Sequence, residues 1–107
     1  MEGDALKGHL DMLVMAVVAS GATYGYAVIE ALRSRSGGRL DLPEGTIYPL
    51  LHRLEMRGLL RSRQTPGGRR KRVYRLTAAG QEALEQQREA WRSFAEVVGL
   101  VLAEEAP

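Results

Sequence analysis

Apolar positions recur at helical spacing from the start of the chain: Leu6, Leu10, Leu13, Val14, Val17 and Val18, with Met12, Met15 and Ala19 widening the stripe. A helix over residues 5–20 that is apolar on more than one face must be covered on more than one face. Gly21 closes it. Thr23 is placed to cap a second helix, residues 24–35, whose inner stripe is Ala27, Val28, Ala31 and Leu32 and whose stop is Gly37-Gly38. After the connection "RLDL", a third helix over residues 43–58 sets Ile47, Leu50, Leu51 and Leu54 at i, i+3, i+4 and i+7, so one face packs inward. Its opposite face carries Gly45, Pro49, His52, Arg53 and Met56, flanked by Thr46 and Tyr48. Pro49 leaves two placements open. Either Thr46 is the cap and Pro49 falls in the first turn, where its missing N–H has no partner to lose, or the helix starts at Pro43 and is kinked.

The period then changes. Residues 59–64 ("LLRSRQ") and 69–76 ("RRKRVYRL") are strand-like, and "TPGG" between them is turn chemistry, with Pro66 presetting φ and the glycines accepting positive φ. Thr77 caps a last helix running to about residue 105, with Leu84, Trp91 and Val98 seven apart and Ala95 and Leu102 at alternate positions. Such a seam suits a partner helix. The predicted fold is mainly α with a small β-hairpin. Three helices, a hairpin and a long helix make a winged helix-turn-helix, in which the third helix enters a major groove and the hairpin reaches the flanking backbone. One domain is expected over residues 1–107: a DNA-binding unit at 5–76 and a C-terminal dimerisation helix at 77–105.

Composition narrows the chemistry. A chain of 107 residues buries a modest share of its surface, which makes a second subunit a natural source of stability. With no cysteine, disulfides, thiolate zinc sites and thiol catalysis are excluded together, and a reducing cytoplasm fits. The apolar run "MLVMAVVA" is too short to span a bilayer, and Glu2, Asp4 and Asp11 stand where a signal peptide wants positive charge. No membrane contact is expected. His9 and His52 have no ligand-like spacing, and Ser20, Ser34, Ser36, Ser62 and Ser93 lie in no G-x-S-x-G word. Neither metal, cofactor nor catalysis is expected.

The net charge is +2, yet between Arg61 and Arg75 there are seven basic residues and no acid. From residue 81 onward six acids face only Arg88 and Arg92. A concentrated basic segment on a nearly neutral chain is the footprint of nucleic-acid binding, although a run of charge is also what an ordinary solvated surface displays. Strand alternation divides the run: Arg70, Arg72, Tyr74 and Leu76 on one face, Arg69, Lys71, Val73 and Arg75 on the other. Arg69 and Arg70, next to the Gly68 turn, are expected to do most of the phosphate contacting, with Lys71 behind them. On the third helix Thr46, Tyr48, His52 and Arg53 are placed to meet base edges or phosphates, and Gly45 and Pro49 lower the profile for close approach. Thr46 can equally be a simple cap, Tyr48 can pack under the wing, and Tyr24 and Tyr26 can bond phosphate or be structural.

The words "LKGHLDMLVMAVVA", "YGYAVIEAL", "LPEGTIYPLLHRLE", "RGLLRSR", "GGRRKRVYRLTAAG" and "AWRSFAEVV", spread from Leu6 to Val98, resemble the PadR family of bacterial transcriptional regulators, in its short branch without a separate C-terminal domain. That resemblance implies a homodimer on double-stranded DNA with an inverted-repeat operator. It implies a repressor in most cases, released by a small aromatic or drug-like effector. Trp91 then has two readings, packing in the dimer seam or flanking, with its symmetry mate, an apolar gap between subunits where a flat effector stacks, with Leu13, Val17, Phe94 and Val98 as further effector or dimer contacts. The competing function is a winged-helix adaptor whose acidic last helix meets a protein partner.

Overall fold

The structure, a computed structural model, describes residues 9–66 and 71–104. In order these form α1 (Leu10–Ala19), α2 (Gly25–Arg35), α3 (Glu44–Met56), β1 (Leu60–Gln64), β2 (Arg72–Leu76) and α4 (Ala78–Leu102). The mainly helical fold with a two-stranded antiparallel hairpin is the one the periodicities predict. Residues 5–8 of the expected first helix lie outside the described residues.

One core joins the elements. Val14 and Met15 of α1, Val28 and Leu32 of α2, and Ile47, Leu51 and Leu54 of α3 are buried together with Leu60, Tyr74 and Leu84 from the wing and α4. The stripes read from the sequence are the faces that meet there. Helix α1 buries residues on both of its sides, as its broad apolar pattern requires: Val14 and Met15 are fully covered, and Val17 and Val18 nearly so.

One helix cap differs from expectation, and one open choice is decided. The N-cap of α2 is Tyr24 rather than Thr23, and it makes no side-chain cap bond. Thr23 is occupied otherwise, since its carbonyl accepts the Tyr74 N–H at 2.5 Å and so fastens the wing to the loop between α1 and α2. Helix α3 begins after Pro43, not Thr46, so Pro49 lies inside the helix and the cap reading of Thr46 is dropped. Pro49 has no N–H to donate, which leaves the carbonyl one turn back, on Gly45, without its helical partner. The helix nevertheless continues to Met56.

The junction of α3, wing and α4 is a single knot. Gly58 adopts φ 77°, a left-handed conformation that costs an L side chain about 1 kcal/mol or more, and it reverses the chain out of α3. Its N–H donates to the Glu55 carbonyl at 2.9 Å and the Leu59 N–H to the Leu54 carbonyl at 3.0 Å, closing the helix end. The expected Thr77 cap is present: its Oγ1 accepts the Gly80 N–H at 3.0 Å and donates to the Gly58 carbonyl at 2.6 Å. The wing therefore leaves and returns at one anchored point.

Strand β2 begins at Arg72, later than expected, and pairs with β1 in the register Leu60–Leu76, Ser62–Tyr74 and Gln64–Arg72 on one face. Helix α4 buries only Gly80 and Leu84 near its start. Beyond them it leaves the core and gives the molecule its long dimension, 66 Å against 29 and 21 Å. Among the described residues no helix is long and apolar enough to cross a membrane.

Candidate nucleic-acid interface

Helix α3 turns Gly45, Tyr48, Pro49, His52, Arg53 and Met56 to solvent, and half-buries Thr46. This follows from the four inward residues: burying Ile47, Leu50, Leu51 and Leu54 leaves the rest of the wheel no other direction. A Cβ on Gly45 would meet nothing within 4 Å, so packing does not require glycine there. Its effect is outward, a helix surface without a side chain at the first turn. Gly45→Ala is expected to leave the fold unchanged or stabilise it by up to about 1 kcal/mol through helix propensity, while weakening DNA binding. Paired thermal melts and DNA titrations separate the two.

Beside α3 lies a crevice of about 520 Å³ lined by Tyr24, Gly25, Tyr26, Tyr48, Tyr74, Lys71 and Arg72. All four tyrosines of the chain meet in it. It joins the start of α2, the outer face of α3 and the wing. Gly25 makes the approach possible, because a Cβ there would collide with the ring end of Tyr48. The Lys71 Nζ stands 4.9 Å from the centre of the Tyr24 ring, an ammonium held over an aromatic face. Tyr26 is 58% exposed and Tyr24 36%, so both hydroxyl-bearing rings border solvent. Tyr74 is buried, and burial, seconded by Glu55, holds its phenol above the ordinary tyrosine value against the opposing pull of Arg72. It stays a neutral hydrogen-bonding group.

The expected alternation of the basic run holds within β2 but does not reach back to Lys71. Lys71 precedes the strand and lines the crevice with Arg72 and Tyr74 instead of sharing a face with Val73 and Arg75. Gly68, Arg69 and Arg70 lie outside the described residues. Arg72 donates to Ser62 Oγ at 3.0 Å, and Ser62 donates to Glu55 Oε2 at 2.6 Å, a polar chain from the wing to the end of α3. On the outer face of the hairpin Arg61 lies directly opposite Arg75. Like charges across a ladder repel, and an anion between them relieves the cost. Arg53 is less free than the helical wheel implied: its Nη2 donates to Asp11 Oδ1 at 2.9 Å, and Arg57 Nη1 donates to Asp11 Oδ2 at 3.1 Å.

A second concavity, about 940 Å³, lies between α1, the end of α2 and α4. Leu13, Trp91 and Phe94 line it within a single chain, joined by His9, Met12, Leu40 and the arginines Arg35, Arg39 and Arg88, whereas the sequence reading set Trp91 at a gap between subunits. His9 packs edge-on against Trp91, ring centres 5.2 Å apart, and Phe94 follows at 6.2 Å. Val17 does not line this groove; it is a core residue, 3% exposed. Val98 is half-buried further along α4 and is not part of the lining either. Among the described residues no group of three potential ligands is gathered to hold a metal.

Asp11, Gly25, Glu55, Ser62 and Tyr74 were not singled out as site residues in the sequence. Gly25 carried a signal, as the middle of "YGY", and so did Asp11, an acid in an otherwise apolar helix. Ser62 and Glu55 carried none, since their pairing depends on how the hairpin folds back.

A helix with an exposed, low-profile face, flanked by a basic hairpin and a tyrosine-lined crevice, is the arrangement of a winged-helix protein. The chain belongs to the Transcriptional regulator PadR-like family, whose profile matches residues 14–86. It is 52% identical over 68 residues to transcriptional regulator Rv3488 of Mycobacterium tuberculosis, the match covering 62% of each chain. It is 30% identical over 82 residues to transcriptional regulator YqjI of Escherichia coli, covering 77% of this chain and 39% of that one. It thus spans less than two thirds of the length of either relative. Among solved structures, a PadR family transcriptional regulator from Eggerthella lenta superposes with a TM-score of 0.83 at 31% identity, covering 95% of this chain and 88% of that one. A transcriptional regulator from Clostridium thermocellum shares the fold, with a TM-score of 0.87 at 24% identity over 96% and 99% of the two chains.

Proposed function

We propose that this protein is a homodimeric repressor that binds an inverted-repeat operator in the cytoplasm and releases it when a small aromatic effector enters the groove beside Trp91. The observation that carries the DNA-binding part is the crevice. There the exposed face of α3, the start of α2 and the turn end of the wing come together at Tyr48, Tyr24, Tyr26 and Lys71. A backbone phosphate beside a major-groove helix fits that surface, with Lys71 as the cation and the tyrosine hydroxyls as donors. Thr46, Tyr48 and His52 on α3 face the bases, while Gly45 and Pro49 admit close approach. Arg69 and Arg70 extend the phosphate contacts along the wing. Two copies related by a two-fold axis set their third helices about 34 Å apart, one turn of DNA, which is why the target is an inverted repeat. In the groove, Trp91 and Phe94 offer stacking faces above the apolar floor of Met12, Leu13 and Leu40.

The test is a fluorescence-anisotropy titration on DNA from upstream of the protein's own gene, repeated over a salt series. Lys71→Ala is expected to weaken binding about equally on matched and scrambled duplexes and to flatten the salt dependence by about 0.9 in log–log slope, the loss of one phosphate contact. The Arg69→Ala/Arg70→Ala pair is expected to flatten it by about twice that. Binding by both variants indistinguishable from wild type at every salt concentration would refute the wing assignment. No preference for any upstream sequence would favour the adaptor reading. Planar aromatics that bind in the groove are expected to quench Trp91 fluorescence and lower DNA affinity in the same titration.

A further inference from the structure

Three charged residues at the end of α3 and its C-cap are all engaged by neighbours. Glu55 is taken by Ser62 of the wing, while Arg53 and Arg57 share one carboxylate, Asp11. Asp11 sits in the first turn of α1, more than forty residues away in sequence, and reaches α3 across the gap between the two helices. The arrangement is asymmetric in exposure. Asp11 is 26% exposed, whereas Arg53 and Arg57 are 56% and 53% exposed, so the guanidinium groups stand on the solvent side of the carboxylate that holds them.

That carboxylate occupies the electrostatic role a DNA phosphate would take. Arg53 and Arg57 are four apart on a helix, where like charges repel, and an anion between them satisfies both. In the protein as folded that anion is already present. Arginines on a DNA-facing helix would otherwise bind phosphates regardless of sequence, because counterion release rewards every such contact alike.

We propose that Asp11 is a specificity-determining residue: it holds Arg53 and Arg57 against α1 and thereby withdraws two guanidinium groups from sequence-independent phosphate binding. Base contacts from the rest of the α3 face then make up a larger share of the total affinity. Exposed ion pairs of this kind contribute little to stability, so a fold-holding role is the weaker explanation of the clamp. The inference rests on the DNA-binding reading above.

The experiment compares wild type and Asp11→Asn on two duplexes, an upstream sequence bound by wild type and a scrambled duplex of the same composition, over a salt series. Asp11→Asn is expected to bind the scrambled duplex several-fold more tightly at low salt. Its salt dependence should steepen by about 0.9 for each arginine set free. Affinity for the upstream sequence should change less, so the ratio between the two falls. The triple variant Asp11→Asn/Arg53→Gln/Arg57→Gln should return the slope to the wild-type value or below. An unchanged slope in Asp11→Asn, or equal weakening on both duplexes as a structural defect produces, would overturn the inference while leaving the DNA-binding reading intact. Failure of wild type itself to bind either duplex in a salt-dependent way overturns both.

Discussion

Phe94→Glu/Val101→Glu is expected to convert the protein to a folded monomer that has lost operator binding by two orders of magnitude or more. The reason is that the homodimer proposed above packs through the second half of α4. Phe94, Val97, Leu100, Val101 and Leu102 are between 57% and 77% exposed, on a helix that has already left the core at Leu84. Burying a side chain of this size contributes about 1.5–3 kcal/mol, and a two-fold interface counts each position twice. Placing four carboxylates in such a seam removes that gain and adds like-charge repulsion. A dissociation constant raised by about a thousandfold corresponds to about 4 kcal/mol, well within the loss expected. The fold should survive, because neither residue belongs to the buried core. Operator affinity should not, because the second half-site is then met by a separate molecule instead of a tethered one, and tethering is worth about 10²- to 10⁴-fold. Sedimentation velocity gives the oligomeric state and anisotropy the affinity. A variant that sediments with wild type places the subunit contact elsewhere.

Gly80→Ala is expected to cost about 1–3 kcal/mol of stability, against the usual gain from replacing a helical glycine with alanine. A Cβ on Gly80 would be driven into the carbonyl oxygen of Leu59, and also against the Leu76 side chain at 3.2 Å. The obstacle is backbone. The Leu59 carbonyl cannot swing away, since it accepts the Thr77 N–H at 3.1 Å in the knot that joins α3, the wing and α4. Relief requires α4 to lift away from β1, with Leu84 drawn from the core. Chemical denaturation measures the loss, and for a domain of this size each 1 kcal/mol lowers the melting temperature by about 4–8 °C. The contrast with Gly45→Ala is the control, since both glycines stand in the first turn of a helix and only Gly80 meets another part of the chain.

These two glycines also mark the boundary of what could be read in advance. The helical stripes of α1, α2 and α3, the two strands and the Thr77 cap follow from local rules: periods of 3.6 and 2, and a side-chain oxygen before a helix. Those rules hold because each element must bury one face whatever it packs against. The outer face of α3 was legible for the same reason, as the complement of Ile47, Leu50, Leu51 and Leu54. Trp91, Phe94 and Leu13 line one groove within a single chain, while Val17 lies in the core, because α1 is covered on both sides and the sequence pattern does not say which side meets α4.

Thr23 illustrates the other limit. By local chemistry it is the better cap for α2, yet its carbonyl accepts the Tyr74 N–H and Tyr24 takes the cap position. A long-range hydrogen bond outweighed a local preference worth about 1 kcal/mol. At Pro43 the structure decides between the two placements the sequence left open: α3 starts after it and Pro49 lies within the helix.

By itself, then, the sequence determined the elements, their order, the inward faces and the basic segment, because these depend on neighbours within a turn or two. Only the tertiary structure decided that four tyrosines and Lys71 share one crevice, that Arg72 reaches Glu55 through Ser62, and that Asp11 holds Arg53 and Arg57. Those contacts join residues far apart in the chain, and charge or aromatic character alone does not specify a partner until packing has fixed where each side chain stands.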